Sequence, residues 1–238
     1  MIIAALAESL LHLILLAPVY FLAIRLGNYH ADYRLVIYIF IVYLASNFLT
    51  TAFSIVIIFP WQHYNWIGKL VAVLFELVCC FIIPSISVKK FGLTTKINWR
   101  GSGKILLICI LYFLLRCILY YYLSENPLQF NPEAIAFQAT LPGLQEELLL
   151  RGILLALLTR IFPYPDWKFL EVKFGWPVII TSILYGLSYG LKLPFHFDIF
   201  IFLRMTLEGF LLGLLVRKTR NVFSAVVYHN LLSLITIH

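Results

Sequence analysis

Apolar runs of more than 18 residues recur along this chain and constrain its fold more than any other feature. A run of that length, if helical, can cross the hydrocarbon core of a bilayer. Only 12% of the residues are charged and 62% are hydrophobic, whereas soluble domains contain roughly 25% charged residues. We therefore predict an all-α fold, a polytopic membrane helix bundle. Its eight predicted helices span about 3–25, 35–59, 67–88, 105–123, 137–160, 176–191, 198–217 and 221–237.

The loops between these runs alternate in charge. Thirteen of the eighteen Lys and Arg residues lie in the segments 25–34, 88–104, 160–175 and 217–220. The positive-inside rule predicts that such loops are cytoplasmic, with both termini on the other side. The same clustering explains the net charge of +7 without nucleic acid as a partner. Membrane lipid is the expected partner, and the longest basic loop should have affinity for anionic headgroups. The sequence does not indicate an oligomeric state.

One motif, Glu146-Glu147-Leu-Leu-Leu-Arg151-Gly152, places three charges inside a predicted span. Each charge costs about 2.5–3.5 kcal/mol at the centre of a membrane helix, so such residues usually have a function. Glu147 and Arg151 are four residues apart, share a helix face and can pair. Glu146 points about 100° away, and we expect it to be available for proton transfer. In the alternative, Glu147 and Arg151 only stabilise the packing of neighbouring helices, and Glu146 faces a water-filled cavity.

His229 lies midway along the last predicted span, at a depth that would match Glu146. A Glu and a His that converge on one water molecule can carry out general acid–base hydrolysis. Glu146 would then be the base, and His229 would bind the oxyanion or the water. Arg151 would hold Glu147 and shape the site.

Other charged residues in the spans are expected to be mainly architectural. Arg204 and Glu208 form an i,i+4 pair that precedes a stripe of glycines suited to close helix packing. Glu76 and Arg116 are expected to pair between two helices.

The acidic motif resembles the first motif of the CAAX-protease and bacteriocin-processing family (CPBP, also called Abi) of intramembrane proteases. That motif is Glu-Glu-x-x-x-Arg. The family's second motif, Phe-x-x-x-His, aligns with Tyr185-Gly-Leu-Ser-Tyr189, and its third, a His followed four residues later by Asn, aligns with the segment from His229 to Ser233. The resemblance covers about 136–237. The apolar runs and the basic loop predict three N-terminal transmembrane helices in 1–88 and a basic cytoplasmic loop in 89–104. The resemblance implies that 105–238 is a CPBP-like catalytic-type core.

The chain departs from the family pattern at two positions. Tyr189 stands where the family has the second-motif His, and Ser233 stands where it has the third-motif Asn. Both can donate a hydrogen bond, but neither carries a proton at neutral pH as an imidazole does. His196 could replace the missing His only if the backbone rearranged, because it lies about 10 Å further along a helix. Asn230 could replace the missing Asn, but it points about 100° away from His229.

The resemblance implies an intramembrane endopeptidase that cleaves a membrane-associated, prenylated or leader-bearing protein, with Glu146, Glu147, Arg151 and His229 in its catalytic site. No cofactor is expected, because two Glu and one His make a poor zinc set and catalytic zinc usually has three protein ligands. The alternative is a pseudoprotease that serves as a membrane binding or regulatory scaffold. A third reading is a transporter or an acyl-transfer enzyme. The family resemblance favours a prokaryotic inner membrane.

Overall fold

The computed structural model describes residues 2–30, 32–58, 60, 62–83, 92, 94, 96–123, 131–163, 167–194 and 196–235. These residues form α-helices and two short antiparallel hairpins, β1–β2 and β3–β4. The helices are α1 (Ile2–Gly27), α2 (Tyr33–Ala52), α3 (Trp66–Ile82), α4 (Gly103–Leu123), α5 (Pro132–Gln138), α6 (Leu141–Glu147), α7 (Leu155–Ile161), α8 (Trp176–Gly190), α9 (Ile199–Thr219) and α10 (Val222–Leu234). A π-helical segment, Leu148–Leu154, joins α6 to α7. The strands are β1 (Trp167–Phe169), β2 (Val172–Phe174), β3 (Leu191–Lys192) and β4 (His196–Phe197).

The fold is a membrane-type helical bundle, as predicted. Within the described residues, α1, α2, α4 and α9 are each long and apolar enough to cross a membrane. Helix α4 shows why the surroundings must be apolar, since Leu107, Leu111 and Ile118 on its surface are more than half exposed. An exposed apolar surface of this extent would be unfavourable in water and is favourable in lipid. Crossing by eight helices stays a prediction, and so does the division into 1–88, 89–104 and 105–238.

Three of the predicted helices end or break earlier than expected. The second predicted helix was expected to reach residue 59 but ends at Ala52, because the Gln62 side chain bonds the backbone of Val56 and Ile58 and holds a loop. The predicted helix at 137–160 is interrupted at Ala139 and Thr140 between α5 and α6. The third predicted helix was expected to reach residue 88 but ends at Ile82, followed by Ile83 in an extended conformation. The predicted positions 84–88 and 236–237 lie outside the described residues.

Of the two ion pairs predicted outside the acidic motif, only one forms. Arg204 contacts Glu208 at 3.3 Å, and Arg116 binds the same carboxylate. The prediction of an ion pair between Glu76 and Arg116 is wrong, because the two side chains have other partners. Glu76 is fully buried and accepts hydrogen bonds from Ser46 and from another side chain, Gln145.

Helices α8 and α9 pack closely because small residues line their contact. A Cβ atom at Gly190 would lie 2.9 Å from Cα of Phe202, and one at Gly213 would lie 2.8 Å from a methyl carbon of Val178. Real Cβ atoms do not approach other atoms so closely, so the two backbones can meet only where glycine is present. This contact fixes Tyr185 and Tyr189 of α8 relative to Glu208 of α9.

Replacing Gly190 by Ala is expected to lower the free energy of unfolding by about 1–3 kcal/mol, because the added methyl group overpacks the α8–α9 contact. Thermal unfolding in detergent would measure the change. The matched control is Gly103→Ala at the start of α4, where an added Cβ meets no atom within 4 Å. Equal stabilities of the two variants would show that α8 and α9 are free to separate.

Candidate active site

Glu146 lies in α6 between two other helices. Its Oε1 atom is 2.8 Å from Nζ of Lys69 in α3, and its Oε2 atom accepts a hydrogen bond of 2.7 Å from the Tyr189 hydroxyl in α8. The side chain is 18% exposed, in contrast to its neighbour Glu147, which is fully buried. The two adjacent carboxylates therefore have different environments, as their angular separation on a helix requires.

Glu147 connects a guanidinium to an imidazole. Its Oε1 atom is 3.1 Å from NH1 of Arg151 and 2.9 Å from Nδ1 of His229. An ionised carboxylate only accepts hydrogen bonds, so it favours the tautomer of His229 with the proton on Nδ1. The other ring nitrogen, Nε2, then lies 3.9 Å from Oε2 of Glu146.

Arg151 is held on three sides. Besides donating to Glu147, its NH2 group donates a 3.0 Å hydrogen bond to the carbonyl oxygen of Gly209 in α9. Its Cζ atom also lies 4.9 Å from the centre of the Tyr185 ring, within the range of a cation–π contact. The glycine is needed because a Cβ there would lie 3.0 Å from NH2. These three contacts hold Arg151 in a fixed position next to Glu147.

A cavity of about 230 Å³ lies beside these groups. Its walls combine aromatic rings, the His229 ring and the charged cluster of α4 and α9, and its lining includes Tyr185, Tyr189, Ser233, Arg116, Arg204 and Glu208. Tyr189 and His229 both contact Glu146 and both line the cavity. Glu146 itself is not among the lining residues, so its carboxylate lies behind these two side chains.

Two residues considered from the sequence lie elsewhere. Asn230 accepts a hydrogen bond from the backbone N–H of Gly143 and donates to the carbonyl oxygens of Ala139 and Thr140. Its amide therefore fastens α10 to the break before α6 and does not line the cavity. His196 is exposed on β4 and is also absent from the cavity lining.

Sequence reasoning missed a chain of polar contacts that runs from Glu146 into the N-terminal helices. Lys69 also donates to Gln145, which donates in turn to Ser46 and Glu76. The sequence contains a pattern that could have indicated these contacts. Lys69 and Glu76 are seven residues apart in an apolar run and therefore share one face of a helix. This face meets α6 beside the acidic motif.

Residues 128–235 match the family model described as "Type II CAAX prenyl endopeptidase Rce1-like". Over these residues, which make up less than half of the chain, the chain is similar to the CAAX protease family. The resemblance found in the sequence is thereby confirmed, and the family is one of intramembrane proteases. The match includes the motif residues in α6, α8 and α10 but not Lys69. No match was found among the curated proteins or the solved structures.

The side chains around Glu146 are a poor set for a metal ion. Within the part of the chain that the structure describes, no group of three or more His, Cys, Asp or Glu side chains could hold one. Glu146 already contacts the ammonium of Lys69 at 2.8 Å, and a positive charge at that distance opposes a second cation.

Proposed function

We propose that this protein is an intramembrane endopeptidase of the CAAX-protease type, with Glu146 as its general base. The observation that supports this role is the position of Glu146 Oε2 next to two cavity-lining side chains, 2.7 Å from the Tyr189 hydroxyl and 3.9 Å from Nε2 of His229. The 3.9 Å gap is too long for a direct hydrogen bond and is of the length at which a water molecule can bridge two polar groups.

In the proposed reaction, a water molecule between Glu146 and His229 gives a proton to Oε2 of Glu146. The oxygen atom of this water molecule attacks the carbonyl carbon of the scissile peptide bond. The Tyr189 hydroxyl, released from Glu146, then donates a hydrogen bond to the oxyanion. Glu146 returns its proton to the amide nitrogen as the C–N bond breaks, so the enzyme ends in its starting protonation state.

Glu147 and Arg151 act as positioning residues in this proposal. Glu147 orients the His229 ring through Nδ1, and Arg151 balances the charge of Glu147. We propose that catalysis needs no metal, because the positive charge next to Glu146 comes from Lys69. The substrate would be a membrane-associated, prenylated or leader-bearing protein in a prokaryotic inner membrane.

One observation favours the alternative, a pseudoprotease that binds or regulates another membrane protein. Both oxygen atoms of Glu146 already have partners, Lys69 on one and Tyr189 on the other. These contacts stabilise the carboxylate and compete with a nucleophilic water for its lone pairs. An imidazole at position 189 would add the proton carrier that the present side chain lacks.

Replacing Tyr189 by His distinguishes the two proposals. We expect the wild-type peptidase to cleave its substrate. In Tyr189→His, kcat/KM should rise by about tenfold or more. The lower end of this gain is smaller than the usual contribution of an acid–base group, about 100- to 10,000-fold, because Tyr189 already donates a hydrogen bond. Cleavage would be measured in proteoliposomes with a quenched peptide library that includes prenylated C-terminal peptides. Tyr189→Phe, which removes only the hydroxyl, should lower the rate. If all three folded proteins are inactive, the peptidase proposal fails and the scaffold is favoured.

A further inference from the structure

A second, larger cavity of about 630 Å³ lies at the basic end of the bundle and shares one residue, Arg151, with the candidate active site. It is bounded by α7, α9, β2 and the segment before α4. Five cationic side chains line it besides Arg151, namely Arg100, Lys173, Arg217, Lys218 and Arg220. The single acidic residue in its lining is Glu171.

Within the described part of the chain, the five cations of this cavity besides Arg151 outnumber its acidic residues and have no ion-pair partners. None of the five cations forms an ion pair with any other described residue. Glu171 is bound by Lys104, which lies outside the lining. The hydrogen bond from Lys104 holds the pKa of Glu171 below its usual value, and the positive charge of Lys218 contributes. Several like charges around one cavity repel each other unless an anion lies between them.

The inner part of the cavity is apolar. Leu155, Ala156 and Val216 line it, and all three are buried. Arg151 also contributes to the lining, and its Nε atom is buried without a hydrogen-bond partner among the described residues. A buried polar atom without a partner is unfavourable. The cavity therefore combines a cationic rim with an apolar floor and an unsatisfied donor.

We propose that this cavity binds a phosphate group, either as the headgroup of an anionic lipid or as free inorganic phosphate. Guanidinium groups match the geometry of phosphate oxygens, and Lys supplies additional charge. The lining cations lie at helix ends and in loops, where the headgroups of a bilayer are found. The apolar floor favours the lipid, whose glycerol and first methylenes would contact Leu155 and Val216. The proposal does not depend on the peptidase reaction.

The test measures binding to the full-length, delipidated protein in a neutral detergent. Thermal unfolding would be followed during titration with short-chain phosphatidylglycerol, short-chain phosphatidylcholine and inorganic phosphate. We expect saturable stabilisation by phosphatidylglycerol and none by phosphatidylcholine. If phosphate alone stabilises the protein at the same concentrations, the site is confirmed and its ligand is the free ion. Absence of saturable stabilisation by either anion would overturn the proposal.

Matched variants identify the site. The triple variant Arg100→Gln, Lys173→Gln, Lys218→Gln should weaken binding at least tenfold. The control variant Arg25→Gln, Arg34→Gln, Lys168→Gln removes the same charge from exposed positions outside the cavity and should bind within twofold of wild type. Equal weakening in both would show that only net charge matters and would contradict the proposal. If the first variant folds poorly, Lys218→Gln against Lys168→Gln makes the same comparison.

Discussion

Replacing Glu146 by Gln is expected to lower kcat/KM by at least about 100-fold, the usual contribution of a general base. Gln keeps the shape of Glu, and its carbonyl oxygen can still accept a hydrogen bond from Lys69 or Tyr189. What it loses is the ability to take a proton from water. Stability should therefore change little while peptide cleavage disappears. The rate would be measured in liposomes, and folding would be checked by thermal unfolding of the same preparation.

Asp32→Asn is the matched control, because it makes the same chemical change far from the cavity. Asp32 is exposed and caps α2 by accepting a hydrogen bond from the backbone N–H of Arg34. Asn is an equally good N-cap residue, so this variant should cleave as wild type does. Normal cleavage by Glu146→Gln would remove Glu146 from the role of base and leave His229 as the group to test next.

Replacing Arg151 by Ala is expected to destabilise the protein by about 3–5 kcal/mol, because it leaves the carboxylate of Glu147 buried without its cation. Both side chains have 0% exposure, so in the folded protein the Glu147 carboxylate is stabilised by protein groups and not by solvent. The hydrogen bond to Gly209 and the contact with the Tyr185 ring are lost as well. We expect lower abundance in membranes and a lower midpoint of thermal unfolding.

Arg204→Ala tests whether burial of the ion pair causes the loss of stability expected for Arg151→Ala. Arg204 also pairs four residues along a helix, but its side chain is 38% exposed. Its partner Glu208 keeps Arg116 and the Tyr112 hydroxyl. We therefore expect a loss below about 1 kcal/mol, as for other exposed pairs. If Arg151→Ala were as mild as this control, Glu147 would have to be solvated or protonated in the folded protein.

The sequence predicted most helices because each apolar run is long and ends at polar or basic residues. The start of α8 and the end of α4 agree with the prediction to within a residue. The pair of Glu147 and Arg151 was also predictable, because four residues on a helix bring side chains together. The break before α6 was not, because it depends on Asn230, which is about 90 residues away and bonds the exposed carbonyl groups.

The partners of Glu146 could not be predicted from spacing either. Lys69 is 77 residues from Glu146 along the chain, and Tyr189 is 43 residues away. Contacts between helices depend on how the helices pack, and no periodicity within one helix contains that information. The π-helical segment was missed for a similar reason. Its sequence, Leu-Leu-Leu-Arg-Gly-Ile-Leu, fits an ordinary α-helix, and nothing in it indicates the wider turn.

The contact between Lys69 and Glu146 determines which fragments of the protein can form the complete site. The segment that matches the family begins after α3, so a fragment made of that segment alone would contain the motif residues and lack the cation beside Glu146. The N-terminal helices are therefore more than a membrane anchor, since one of them contributes a charge to the centre of the bundle. Separate expression of the two parts should give a native site only where they reassemble in the same membrane.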